Sequence, residues 1–244
     1  MSYSLPSSNP DYLSPYIHAE LPREDYPDTA NSQWFVGIDL APNKKLESGF
    51  VVLDKHKKLF QADKVISDRQ ILRIVEALGN PQQTVVAIDC PKSLSLPNKF
   101  AQERVRMYPN QLKQAPETEG RPYAHKEILR TDRCSDRAWE LFDNLTAMGV
   151  TTILYFNVIA KQQYGIKIPF RTRSPQGCRA LQAAVQEKLQ LDGMVNNIFP
   201  SAVLDAMVAA YSAWILAYGQ PVKDYQLFLD EAQRLLFEPG QQVR

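Results

Sequence analysis

Trp34-Phe35-Val36-Gly37-Ile38-Asp39-Leu40-Ala41 is an apolar run of strand length with one carboxylate set into it. An ionised carboxylate taken out of water is costly unless it is paired or coordinates a metal. Asp39 therefore either lies at the exposed end of its strand, accepting turn hydrogen bonds, or has a specific partner. Residues 42–48 are charged and turn-forming, and residues 49–54 (GFVVLD) are a second apolar run, so the two runs read as a hairpin. A third strand is expected over 58–66. Asp68 can then cap an amphipathic helix in which Ile71, Leu72, Val75 and Leu78 recur at helical spacing, ending near Gly79.

Moving outward, residues 84–89 (TVVAID) are apolar on both faces and are stopped by Pro91, as in a central strand covered by helices. This strand also ends on an aspartate, Asp89, for which a turn or helix cap is the ordinary role. Residues 92–123 are loop-rich, with Pro97, Pro109, Pro116 and Pro122. A helix is expected over 132–148, a short β-branched and aromatic strand over 151–156, a helix over 179–191 and an apolar helix after Pro200. A final amphipathic helix is expected over 224–237. Residues 1–33, rich in Ser, Pro, Asn, Asp and Tyr, carry no apolar periodicity and read as a flexible arm that the fold can lose. Residues 34–244 read as one α/β domain.

Composition removes several classes of function. The 28 basic and 27 acidic residues nearly cancel, so no global field draws the chain to nucleic acid or to anionic lipid, and any such binding must come from local patches. The longest apolar run, 202–218, contains Asp205 and Ser212 and falls short of the roughly 20 residues that cross a bilayer; it reads as a buried helix, with no membrane partner. The start of the chain has no basic segment followed by an apolar stretch, so a cytoplasmic location is expected. Cys90, Cys134 and Cys178 form no C-x-x-C pair, and His18, His56 and His125 have none of the spacings of a zinc site. Nucleophilic Cys/His chemistry has equally little support. The remaining chemistry belongs to carboxylates.

Val36-Gly37-Ile38-Asp39-Leu40-Ala41, Ala87-Ile88-Asp89-Cys90-Pro91 and Asp205-Ala206-Met207-Val208-Ala209-Ala210 occur in that order, on a first strand, on the strand after the first helix and on a late Ala-rich helix. Together they resemble the motif blocks of domain-of-unknown-function family 429, predicted ribonuclease H-like nucleases. The third block is also similar to the D-A-x-x-x-A helix of Holliday-junction resolvases. The resemblance spans residues 34–218. It implies a ribonuclease H-like α/β fold with a central mixed five-stranded sheet flanked by helices, in which Asp39, Asp89 and Asp205 converge as catalytic and metal-binding residues. It departs from a full nuclease set in one respect, because the final helix offers Asp205 alone where many relatives of the fold carry a fourth acid; Asp132 or Asp136 would have to substitute.

Carboxylates bind Mg²⁺ or Mn²⁺ through oxygen, and two such ions about 3.5–4 Å apart can activate water and stabilise the leaving oxygen of a phosphodiester without histidine or cysteine. The expected function is accordingly a metal-dependent nuclease acting on DNA or RNA. The alternative is a non-catalytic ribonuclease H-like module that binds nucleic acid or a protein partner. A kinase of the related actin-like fold is disfavoured, since no clustered G-x-G follows either strand. Two segments are expected to meet phosphates. Arg130 and Arg133, with Arg137 a turn later, fall near one helical face, where pairing with Asp132, Asp136 and Glu140 is the competing role. Residues 161–179 hold Lys161, Lys167, Arg171, Arg173 and Arg179 with no acid, and Tyr164 and Phe170 lie among them. The alanines of the helix bearing Asp205 (Ala202, Ala206, Ala209, Ala213) are expected to permit close packing on the sheet.

Overall fold

The computed structural model describes residues 17–41, 46–89, 137–167, 174–194, 197–221, 223–230 and 234–240. Eight strands, β1 (Ile17–Glu20), β2 (Trp34–Asp39), β3 (Ser48–Asp54), β4 (Leu59–Val65), β5 (Thr84–Asp89), β6 (Thr151–Tyr155), β7 (Tyr225–Asp230) and β8 (Leu235–Pro239), form one sheet. The helices are α1 (Asp68–Ala77), α2 (helical over 137–147), α3 (Asn157–Gln163), α4 (Pro175–Leu189) and α5 (Ser201–Tyr218). The sheet order is β1-β7-β8-β6-β5-β2-β3-β4. Strands β2, β3 and β4 form an antiparallel meander, while β2, β5, β6 and β8 are mutually parallel.

Alternation along the strands builds two cores. Phe35, Val51, Leu53, Val85, Ala87, Ile153 and Tyr155 face one side with residues of α3, α4 and α5. Val36, Ile38, Phe50, Val52, Val86, Ile88 and Leu154 face the other with Ile71 and Val75 of α1 and Ala138, Leu141, Phe142 and Leu145 of α2. The result is a mixed α/β sandwich of helices on both faces of the sheet, as the two-sided apolar runs of β2 and β5 require.

The α5 helix comes unusually close to the sheet. A Cβ on Gly37 would stand 1.9 Å from the Ala206 carbonyl oxygen and 2.2 Å from the Ala210 nitrogen, and one on Gly49 would stand 1.9 Å from the Ala202 carbonyl oxygen. Glycine within a strand here marks an approaching backbone. The small residues of α5 serve close packing, as expected from the sequence. α5 is long and apolar enough to cross a membrane, but 67% of it is buried inside this fold.

The five expected strands are present and contiguous as β4-β3-β2-β5-β6, yet among the described residues the sheet has eight strands and not five. The additional three come from the two ends of the described chain. The helix expected over 224–237 is instead the antiparallel pair β7 and β8, in which Tyr225, Leu227, Leu229, Leu235 and Phe237 pack on one core while Phe228 and Leu236 pack on the other. Over so short an apolar run a period of two is not distinguished from 3.6, and the strand pairing decides between them.

Part of the expected arm is docked. β1 pairs with β7, Leu21 is buried and donates its N–H to the Leu227 carbonyl (2.9 Å), and the Tyr26 hydroxyl accepts from the Leu227 N–H (3.1 Å). Thr29 and Ser32 are buried as well, and the Tyr218 hydroxyl donates to the Ser32 carbonyl (3.2 Å). Among its described side chains this segment is held by backbone and hydroxyl hydrogen bonds with one buried aliphatic residue, Leu21, so it leaves no apolar period to read. Residues 1–16 lie outside the described residues. The helix caps also differ slightly from expectation. Ser67, not Asp68, caps α1, accepting from the Gln70 N–H, and α4, capped by Ser174, begins at Pro175, four residues before its expected start.

Candidate carboxylate site

β2 and β5 are parallel neighbours with Ile38 opposite Ile88, so Asp39 and Asp89 close the two strands side by side, on backbones about 4.8 Å apart. Asp39 is paired across the sheet with Gly49, whose face is covered by α5, and it lies two residues beyond Gly37 on the same face. On the next strand, Tyr155 stands opposite Asp89. Asp39, Asp89 and Tyr155 thus form a row at the C-terminal ends of three parallel strands, the end of an α/β sheet where ligands are usually bound.

Asp205 enters from above. α5 crosses β3 and β2 with Ala202 at Gly49 and Ala206 at Gly37, which sets the helix start over this end of the sheet. The Tyr155 hydroxyl donates to the Asp205 carbonyl oxygen at 3.2 Å, tying the helix to the strand row. The Asp205 carboxylate forms an ion pair with Lys161 Nζ of α3, and both side chains are largely buried, 18% and 9% exposed. Tyr155 is fully buried. Its hydroxyl pKa is pushed well above the usual tyrosine range, first by burial and then by the negative charges of Asp89, Asp39 and Asp205. All three expected carboxylates act on this one side chain.

The third strand-end position leads directly into α3. Its first residue, Asn157, donates its backbone N–H to Asp89 Oδ1 at 3.2 Å. Phe156, at the N-cap position, has no side-chain oxygen to offer, so Asp89 satisfies a free N–H of α3 from the neighbouring strand. Asp89 therefore does have the capping role that is ordinary for an aspartate at a strand end. The Asn157 side-chain Oδ1 is buried with no hydrogen-bond partner.

Among the described residues, no group of three or more His, Cys, Asp or Glu side chains is placed to hold a metal ion. Asp205 is engaged by Lys161 and does not join Asp39 and Asp89 as a ligand set.

Of the residues expected to meet phosphates, Arg130, Arg133, Arg171 and Arg173 lie outside the described residues, as do Asp132 and Asp136. Arg137 has a different role from the one its spacing suggested. It is buried, donates from Nε to Asp68 Oδ1 (2.8 Å) and from Nη1 to the Ala41 carbonyl (2.7 Å) and Ser48 Oγ (3.3 Å), and Nη2 lies 2.6 Å from Asp68 Oδ1. It locks α1 and α2 to the chain just beyond Asp39. Lys161 is likewise not an uncompensated cation, being paired with Asp205, whereas Lys167 and Arg179 are exposed on either side of residues 168–173.

Sequence reasoning missed Tyr155, Asn157 and Lys161 as members of this site. Tyr155 reads as an ordinary aromatic strand residue. Lys161 reads as one solvated cation among five, because nothing local to it signals burial against a helix 44 residues away.

No protein-family model matches the chain, and no curated protein matches it in sequence. Among solved structures, the chain is similar to the Thermus thermophilus RuvC structure, with 14% identity, a TM-score of 0.39, and coverage of 76% of this chain and 96% of that one.

Proposed function

We propose that the chain is a ribonuclease H-like, metal-dependent nuclease that hydrolyses nucleic-acid phosphodiesters at the site of Asp39, Asp89 and Asp205. The observation that carries this reading is the side-by-side ending of two adjacent parallel strands on Asp39 and Asp89, with the start of the crossing helix that bears Asp205 tied to the same strand row through the Tyr155 hydroxyl. The resemblance of the three motif blocks to family 429 supports it, as does the contiguous mixed core β4-β3-β2-β5-β6.

The donors suit Mg²⁺ or Mn²⁺. They are oxygen atoms only, and a buried amide oxygen without a hydrogen bond, that of Asn157, belongs to the residue bonded to Asp89. Asp39 and Asp89 would hold the ion. When bound, it supplies a water of lowered pKa and a charge that stabilises phosphodiester oxygens. The chain's own groups do the positioning. The Asn157 N–H orients the Asp89 carboxylate, Arg137 anchors the chain beyond Asp39, and Tyr155 and Lys161 fix Asp205 through its carbonyl and its carboxylate. Arg130, Arg133, Arg171 and Arg173, with the exposed Lys167 and Arg179, are the proposed contacts to the nucleic-acid backbone.

The Lys161–Asp205 ion pair favours a second reading, a non-catalytic module that binds nucleic acid or a protein, because it already neutralises one of the three acids. Incubating the full chain with labelled single-stranded, duplex and branched DNA and RNA in Mg²⁺, Mn²⁺ or chelator separates the two. Nuclease function requires metal-dependent cleavage that falls by more than about 100-fold in Asp39→Asn and Asp89→Asn, beyond the 10–100-fold typical of losing a ligand's outer partner. Retention of nucleic acid without cleavage in any metal would favour the binding module.

A further inference from the structure

The donor inventory of the site goes beyond three aspartates. Asn157 is 8% exposed, its backbone N–H is hydrogen-bonded to Asp89 Oδ1, and its side-chain oxygen is buried without a partner. A buried carbonyl oxygen of this kind is destabilising unless something accepts its lone pairs, and amide oxygens are ordinary ligands of hard divalent cations. One turn further along α3, Lys161 places a buried ammonium on the Asp205 carboxylate. An ammonium there supplies the positive charge that an ion would bring, and its repulsion opposes a second cation nearby.

We infer that the site takes a single divalent cation held by Asp39, Asp89 and the Asn157 side-chain oxygen, with Lys161 standing in for a second ion at Asp205. The inference rests on the metal-binding reading of Asp39 and Asp89. It differs from the arrangement expected from the sequence in both the third ligand and the number of ions. The amide ligand is neutral, so the site carries two formal negative charges toward the ion. A cation with a preference for oxygen and for retained water, Mg²⁺ or Mn²⁺, suits that set.

The test is calorimetric titration of the full chain with Mn²⁺, with thermal melts in Mn²⁺ and in chelator. The wild type is expected to bind one Mn²⁺. Asn157→Ala should weaken binding by about tenfold or more, Asn157→Asp should strengthen it by adding a carboxylate, and Asn157→Ala should melt no lower than wild type in chelator because it removes an unsatisfied oxygen. Lys161→Gln should release Asp205 and raise the stoichiometry to two or tighten the first site. Unchanged affinity in Asn157→Ala, while Asp39→Asn abolishes binding, would overturn the amide ligand and leave the metal reading standing. Two ions in the wild type, or no change of affinity or stoichiometry in Lys161→Gln, would overturn the role of Lys161. A wild type that binds no Mn²⁺ and shows no shift at millimolar concentration defeats the metal reading itself.

Discussion

Gly37 shows how much one residue decides. Two residues before Asp39, it provides the gap through which α5 reaches the sheet, with its position 1.9 Å from the Ala206 oxygen once a Cβ is added. Gly37→Ala cannot be accommodated by moving a flexible side chain, because the obstacle is helix backbone. The helix must shift, and overpacking of this kind costs about 1–3 kcal/mol or more. For a chain of 244 residues, that corresponds to a fall in melting temperature of roughly 2–12 °C. The same shift moves the start of α5, and Asp205 with it, away from this end of β2. A variant that melts with the wild type would show that α5 is not held this closely. Glycine in an apolar run is visible in the sequence, and so is the small-residue face of α5. That the two meet is a fact of tertiary packing.

At the scale of elements, the N-terminal segment is the clearest revision. The sequence predicts that residues 1–33 are dispensable, whereas β1 extends the sheet on β7, and Leu21, Thr29 and Ser32 are buried. Removing residues 1–33 would expose the free edge of β7 and leave the Leu227 N–H and carbonyl without their Tyr26 and Leu21 partners. The truncated chain is expected to melt at least about 5 °C lower, the effect of roughly 1–2 kcal/mol in a domain of this size. Melts of the two chains at equal concentration decide the matter, and coincident curves would return these residues to the status of an arm. The reason for the misreading applies equally to β7 and β8. A segment that docks by backbone pairing along an existing edge needs little apolar surface of its own, so its partner cannot be inferred from local pattern. By contrast, β2, β3 and β5 are buried on both faces, and their runs were legible for that reason.

For the whole molecule, the buried tyrosines make a pH-dependent signature. Tyr155 and Tyr164 are both raised above the ordinary value near 10, chiefly by burial, and Tyr225 is raised to about 12, also chiefly by burial. Below about pH 10 each is neutral in the folded and unfolded chain, and its contribution is fully present. As pH rises past that point, the unfolded chain releases protons that the folded chain keeps, so stability falls. Each fully buried tyrosine adds a slope of about 1.4 kcal/mol per pH unit until its folded pKa is reached. Tyr155→Phe should cost about 1 kcal/mol at pH 7 through the lost hydrogen bond to the Asp205 carbonyl, and should flatten the alkaline decline by one proton. Denaturant titrations from pH 8 to 11.5 test this. Equal slopes for the two proteins would mean that Tyr155 is not shielded from solvent.

What the sequence determined by itself was what repeats locally. The apolar runs of β2, β3, β5 and β6, the helical period of α1 and the apolar length of α5 follow from side chains that must leave water on one face or two. The position of Asp89 at a strand end follows from the same runs, whereas Asp39 reads as set inside its run and only the structure ends β2 on it. Only the tertiary structure decided how the charges are matched, because an ion pair such as Lys161–Asp205 or Arg137–Asp68 joins residues that no local pattern links. The free energy of a buried charge depends on its neighbours in space, and those are set by how α3 and α5 cross the sheet. The same holds for β1, β7 and β8, which became strands because an unpaired edge was available to complete their backbone hydrogen bonds.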